Sequence, residues 1–239
     1  MGERVVIFDL DETLGYFTEL GLFYNIIQTL NNYNKLKYDD FFKIMDLYPE
    51  FLRPNIMNIL NYIKCKKISG KCKYVIIYTN NRGPEYWCKM IAYYFNYKLN
   101  FKLFDKIIGS ANKNRCRTSH KKKYTDLVRC LDISSKIKVC FIDNQHHKDM
   151  INKNVYYLYV NSYKRCIDYE VMADRYYNNI KTDFNKSVFT DNVIKLMNIN
   201  NIQFIDLDDN RLEYEIQIGK NILDHIKLFF TETLMFQNF

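Results

Sequence analysis

The sequence predicts an α/β domain in three layers, a mostly parallel sheet with helices on both faces. Three observations lead there. Short runs of β-branched and aromatic residues recur without polar alternation, as expected of strands buried on both sides. Longer segments between them carry apolar residues at helical spacing. The two kinds of segment alternate, which is the pattern of a parallel sheet with helical crossovers.

The elements follow in order. "VVIF" (Val5 to Phe8) is the first buried strand. Leu20 to Tyr33 and Tyr38 to Leu47 have helical apolar spacing, and "PEFLRP" (Pro49 to Pro54) interrupts it. Asn55 to Lys66 is an amphipathic helix that "SGK" closes. "KYVIIY" (Lys73 to Tyr78) is the second strand, and Pro84 opens a helix to about Phe95, near the first-turn position that proline favours. Phe104 to Ser110 is a weaker strand, Tyr124 to Leu131 a helix, and Ile137 to Asp143 and Val155 to Val160 are two more strands. After Asp168 the alternation stops. Helices are expected at Tyr169 to Asn179, Ser187 to Met197 and Lys220 to Phe236. Between the last two, "IQFIDLDDNRLEYEIQI" alternates apolar residues around Asp208, Asp209 and Asn210, which predicts a β-hairpin with an Asp/Asn turn. The expected organisation is one domain over 1–180, with a small helical cap insert at about 16–48, and an α+β extension over 181–239 packed on it.

Composition bounds the chemistry loosely. With 239 residues and 48% hydrophobic content the chain can bury a core, and global disorder is excluded. Net charge is +8 and is densest in "NKNRCRTSHKKK" (Asn112 to Lys123), which points to phosphate-bearing or acidic partners. Seven cysteines, an odd number without a CxxC, suggest reduced thiols and an intracellular protein, cytoplasmic or nuclear. Their spacings with His120, His146 and His147 match no common zinc pattern. The N-terminal apolar run is too short for a signal peptide and no stretch is long enough to span a membrane, so no membrane partner is expected.

Two stretches share an acidic look: "VIFDLDETLG" (Val6 to Gly15) and "FIDLDDNRLE" (Phe204 to Glu213). The second is the hairpin turn just described. The first follows a buried strand, and residues two apart in extended chain point to one side. Asp9 and Asp11 therefore share a pocket at the strand's C-terminal end, where open α/β sheets bind ligands. Paired carboxylates repel, and a hard cation such as Mg²⁺ relieves the repulsion. Taken alone, the pair reads equally as a helix cap and a solvated acid. Three further segments extend it. Thr79 ends the second strand, where its hydroxyl and nearby backbone amides can hold phosphoryl oxygens; Lys121, Lys122 and Lys123 precede a helix; Asp143 and Asn144 end the fourth strand as oxygen donors for Mg²⁺.

Acids, then Thr, then Lys, then Asp-Asn, each after the right element, resemble the haloacid dehalogenase superfamily of phosphotransferases, from about Arg4 to Val160. "DLDETL" (Asp9 to Leu14), Asp143-Asn144 and "FLRPNIMNILNYI", with Arg53 and Pro54, are similar to its phosphatases of the RNA polymerase II C-terminal-domain type. "FDLDETLG", "RTSHKKK" and "CFIDNQ" look most like the members found in large DNA viruses. The resemblance implies a Rossmann-like fold and a Mg²⁺-dependent phosphatase. It makes Asp9 the nucleophile that forms an aspartyl-phosphate. Asp11 becomes the general acid and base, its carboxyl kept neutral by the neighbouring Asp9. Thr79, the Asn80 backbone and a lysine, with Lys122 favoured among the three, hold the transferring group. Asp9, the Asp11 backbone carbonyl and Asn144, helped by Asp143, hold Mg²⁺. Thr13 supports the loop. The implied partner is a phosphorylated protein. Nucleotide or polynucleotide 3′-phosphate is the alternative substrate, with Lys121 to Lys123 and Tyr124 following a backbone. A catalytically weak phosphoprotein-binding module is the alternative outside enzymes, and a plain nucleic-acid-binding protein leaves the four motifs unexplained.

Overall fold

The computed structural model describes residues 3–30, 38–110, 116–180, 182, 184–200 and 209–231. Among them, strands β1 (Arg4–Phe8), β2 (Tyr74–Tyr78), β3 (Lys106–Ile108), β4 (Lys138–Asp143) and β5 (Val155–Tyr159) form one sheet in the order β3-β2-β1-β4-β5. Every pairing is parallel. The helices are α1 (Phe17–Leu30), α2 (Tyr38–Leu47), α3 (Ile56–Ile68), α4 (Glu85–Lys98), α5 (Tyr124–Leu131), α6 (Tyr169–Asn179), α7 (Lys186–Asn198) and α8 (Asp209–Thr231). This is an α/β architecture compatible with a Rossmann-like fold.

β1, β2 and β4 read as unbroken apolar runs because both faces are covered, while the edge strands β3 and β5 are partly exposed. Successive residues of a strand point to opposite faces. Val6, Phe8, Ile77 and Ile142 therefore join the larger core, while Val5, Ile7, Ile76 and Phe141 join the smaller one. The smaller core is closed by Tyr124, Leu127 and Cys130 of α5 and by Met150. The larger core is built by the other helices. The segment expected as a small cap supplies Phe17, Leu20, Phe23, Ile27, Phe41 and Ile44 to it, all fully buried. Each such side chain contributes roughly 1.5–3 kcal/mol on burial.

The C-terminal region differs from expectation. Residues 201–208, the first arm of the expected hairpin, lie outside the described residues. The second arm is no strand: Arg211 to Ile218 belong to the long helix α8. The alternating residues that suggested a strand, Leu212, Tyr214 and Ile216, are the exposed ones. The buried positions are Glu215, Gly219, Ile222, Ile226, Phe229 and Phe230, spaced for one face of a helix. Two periods overlap in this stretch, and burial against α3 and β5 selects the helical one. α7 packs on α6 and α1, so the extension described here is helical.

α8 crosses the start of α3 closely. A Cβ on Gly219 would stand 2.3 Å from the Pro54 carbonyl oxygen and 2.8 Å from the Asn55 Cβ. The Asn55 amide donates to the Gly219 carbonyl at 3.0 Å. In an exposed helix Gly→Ala stabilises by about 1 kcal/mol. Here the sign should reverse, with Gly219→Ala costing about 1–3 kcal/mol through overpacking. A urea midpoint at or above wild type would show that α8 is not seated at this distance.

Candidate active site

The chain builds β2 and β3 on one side of β1, then crosses back to build β4 and β5 on the other. The order reverses beside β1, and ligands of open α/β sheets sit outside the strand ends at such a point. Asp9 follows β1 directly, and its amide donates to the Ile142 carbonyl at 2.9 Å. Asp143 is the last residue of β4. The register Phe8↔Ile142 sets the two acids side by side. Lys122 reaches in from the loop before α5. Its Nζ lies 2.5 Å from Asp9 Oδ1 and 2.6 Å from Asp143 Oδ2, and all three side chains are buried. Lys121 is exposed, and Lys123 is half-buried with its backbone amide donating to the Tyr78 hydroxyl.

The loop that delivers Lys122 is held at several points. Arg117 donates to the carbonyls of Thr79, Gly109 and His120 and to Asn80 Oδ1. Its guanidinium also covers the Tyr78 ring, 4.8 Å from the centroid. Asp126 of α5 accepts from the Thr118 amide and hydroxyl. Cys116 and Cys130 form a disulfide with Cα atoms 5.0 Å apart. The sequence suggested reduced cysteines; a separation of 14 residues matches no motif, and only the folding of the loop onto α5 brings these two together. Cys65, Cys72 and Cys140 are free thiols.

The Asp9–Asp11 segment leaves β1 into a tight turn. Glu12 takes a left-handed φ of 61°, its amide donates to the Gly15 carbonyl at 2.7 Å, and Leu14 donates back to Leu10 at 3.0 Å. Gly15 is required there, since a Cβ would stand 2.5 Å from the Phe51 carbonyl oxygen. Arg53, fully buried, ties the turn down: it donates to the carbonyls of Thr13, Glu12 and Asn161, each at 2.6 Å. Its charge is met by Glu215 of α8 at 3.4 Å. The Thr13 hydroxyl donates to Asn144 Oδ1 at 3.1 Å. The Asn144 amide donates to Glu12 Oε2 and Ser162 Oγ. Thr79 Oγ1 accepts from the Asn81 amide, and Asn81 Nδ2 donates to Asp11 Oδ2 at 2.8 Å. All the site residues named from the sequence thus converge on the ends of β1, β2 and β4. The side chain of Asn80 is taken up by Arg117.

Comparison of the chain with profiles of known protein families, with curated proteins and with solved structures finds no match in any of the three.

Burial pushes the Asp9 carboxyl up to about 6, with Lys122 opposing and Asp143 and Asp11 adding to the rise. Asp11 is also raised, by burial first and by the Glu12 charge, while Asn81 and Lys122 oppose. The expected cause, the Asp9 charge, is not among them. Burial acts to raise Asp143 too, but the His147 and Lys122 contacts outweigh it and hold that carboxyl below its usual range. Burial opposes the Lys122 charge, yet Asp9 and Asp143 hold its pKa above the ordinary lysine value. His147 Nε2 lies 3.3 Å from Asp143 Oδ2 but off the line of a hydrogen bond.

Could these residues hold Mg²⁺? Among the described residues no three His, Cys, Asp or Glu side chains gather into a metal-holding group. The Asp9 carboxylate, the Asp11 carbonyl and the Asn144 amide oxygen are nevertheless hard donors of the kind Mg²⁺ takes. Asp9 and Asp143, both buried, outnumber the one ammonium of Lys122 between them, an excess of negative charge. A divalent cation offsets it, so the donor set fits.

Arg117, Asn81 and His147 were given no role at this site from the sequence: Arg117 opens "RTSHKKK", Asn81 lies two residues after Thr79, and His147, weighed only as a zinc ligand, lies just beyond "CFIDNQ". Nothing in spacing distinguishes an arginine that binds carbonyls from a solvated one.

Asp9 also makes a stability prediction. Between its unfolded value near 3.8 and its folded value of about 6, the folded chain keeps a proton that the unfolded chain has lost. Stability from this group therefore falls as pH rises through that window. Asp9→Asn removes the penalty and leaves Lys122 paired with Asp143. In EDTA the variant should melt above wild type at about pH 7.5, with the two converging near about pH 4. A variant that melts lower at the higher pH would show that the Asp9–Lys122 contact outweighs the cost of burial.

Proposed function

We propose that this chain is a Mg²⁺-dependent phosphomonoesterase of the haloacid dehalogenase type that works through an aspartyl-phosphate on phosphoprotein, phosphoserine and phosphothreonine foremost. The observation that carries this reading is the buried Lys122, shared by Asp9 and Asp143 at the β1/β4 switch point, with Asp11 two residues beyond the first acid.

With Asp9 Oδ1 on Lys122, Oδ2 is the attacking oxygen. A bond forms from it to phosphorus while the bond from phosphorus to the leaving oxygen breaks. Asp11, whose carboxyl pKa is raised by burial, gives its proton to that oxygen and releases an alcohol. Asp11 then takes a proton from water, whose oxygen attacks the aspartyl-phosphate. The bond from phosphorus to Asp9 breaks, and inorganic phosphate and the free carboxylate result. Lys122 stays charged throughout and meets the anionic group as it transfers. The Thr79 hydroxyl and the backbone after it, held in place by Arg117, cradle the remaining phosphoryl oxygens. Mg²⁺ on Asp9, the Asp11 carbonyl and Asn144 would supply the positive charge that lets two anions approach. The basic segment ending at Lys123 favours a macromolecular substrate over a small neutral one.

Hydrolysis of p-nitrophenyl phosphate should require Mg²⁺, stop in EDTA and vanish in Asp9→Asn. Turnover retained by that variant would remove Asp9 as the nucleophile. Asp11→Asn should lose at least about 10²-fold on an alkyl phosphate, and a wild-type rate would take Asp11 out of the mechanism. Phosphopeptide should be turned over faster than 3′-phosphorylated DNA; the opposite order would make polynucleotide the substrate.

A further inference from the structure

We infer that Asn81 is a positioning residue that decides which oxygen of Asp11 carries the proton to the leaving group. The inference rests on the phosphatase reading. Asn81 Nδ2 donates to Asp11 Oδ2 at 2.8 Å, and Asn81 Oδ1 accepts from the Gly83 amide at 2.8 Å. The Gly83 contact fixes the amide: with its oxygen on an N–H donor, its NH₂ must face Asp11. A Cβ at Gly83 would stand 2.9 Å from Asn81 Oδ1, so a larger residue there would press on the amide in this position. A third bond, from the Asn81 backbone amide to Thr79 Oγ1 at 3.0 Å, ties the same residue to the strand end.

An NH₂ group can only donate. The oxygen it meets must therefore be an acceptor in both protonation states of Asp11. In the neutral acid Oδ2 is the carbonyl oxygen, and the proton sits on Oδ1. On transfer the Oδ1–H bond breaks and an O–H bond forms on the leaving oxygen as its bond to phosphorus breaks. Asp11 is left a carboxylate, still held at Oδ2. Asn81 also lines a cavity of about 280 Å³ with Gly83, Lys89, Phe104 and Gly109, so there is open space next to this anchor for the rest of a substrate. Asn81 acts through Asp11 and needs no contact with the phosphoryl group.

The test compares two leaving groups. p-Nitrophenolate departs as a stable anion and asks little of a general acid, whereas a serine alkoxide cannot leave without a proton. The quantity to read is kcat/KM, which covers the steps through transfer to Asp9 and excludes hydrolysis of the intermediate. Asn81→Ala should lower kcat/KM on a phosphoserine peptide by about 10–100-fold and on p-nitrophenyl phosphate by less than about 3-fold. Asn81→Asp is nearly isosteric and keeps the acceptor for Gly83, but turns the donor into an acceptor. It should show the same split, and it carries the comparison alone if the alanine variant does not fold. Equal losses on both substrates, or no loss on the peptide, would overturn the inference. If Asp9→Asn is inactive while the Asn81 variants treat the substrates alike, this inference alone falls. If Asp9→Asn stays active, the phosphatase reading falls with it.

Discussion

One buried ammonium shared by two carboxylates constrains the rest of this site. Lys122 cannot stay charged out of water without a carboxylate beside it, and Asp9 and Asp143 cannot both stay charged there without it. That mutual need fixes the β1 and β4 ends relative to each other and to a loop from elsewhere in the chain. It also explains the scaffolding around the loop. Arg117 spends its donors on four backbone and side-chain oxygens, Asp126 holds Thr118, and a disulfide joins Cys116 to α5. A misplaced Lys122 would leave two buried negative charges facing each other.

A second constraint runs through Arg53. It is buried, and its hydrogen bonds go to carbonyl oxygens of the turn after Asp11 and of the segment after β5. The Glu12 carbonyl also accepts from the Tyr163 amide at 2.9 Å, so the turn and the segment after β5 are joined directly as well as through Arg53. The guanidinium charge is balanced by Glu215 on α8, which is how the C-terminal helix comes to bear on the turn that carries Asp11. Positive φ at Glu12 and the close approach at Gly15 show how little room that turn has.

The strands were legible because burial on both faces leaves a signal that composition alone reveals: "VVIF", "YVIIY" and "KVCFID" admit few other readings. Site residues at strand ends were legible for the same reason, since a strand places whatever follows it. The C-terminal region was not. Leu212, Tyr214 and Ile216 alternate as a strand would, while Glu215, Gly219, Ile222 and Ile226 repeat as a helix does. Local pattern supports both, and α3 and β5 supply the surface that decides.

By itself, the sequence determined the alternation of strands and helices, and with it the placing of Asp9, Thr79 and Asp143 at the C-terminal ends of their strands. These are consequences of short-range periodicity, which each segment carries within itself. The tertiary structure alone decided that Lys122, among three consecutive lysines, is the buried one. It alone set the Asn81 amide against Asp11, Arg53 under the turn, and Cys116 beside Cys130. Each of those contacts joins residues far apart in the chain or chooses between equivalent neighbours. Their energies come from desolvation and from hydrogen bonds that exist only once the surrounding surfaces have met.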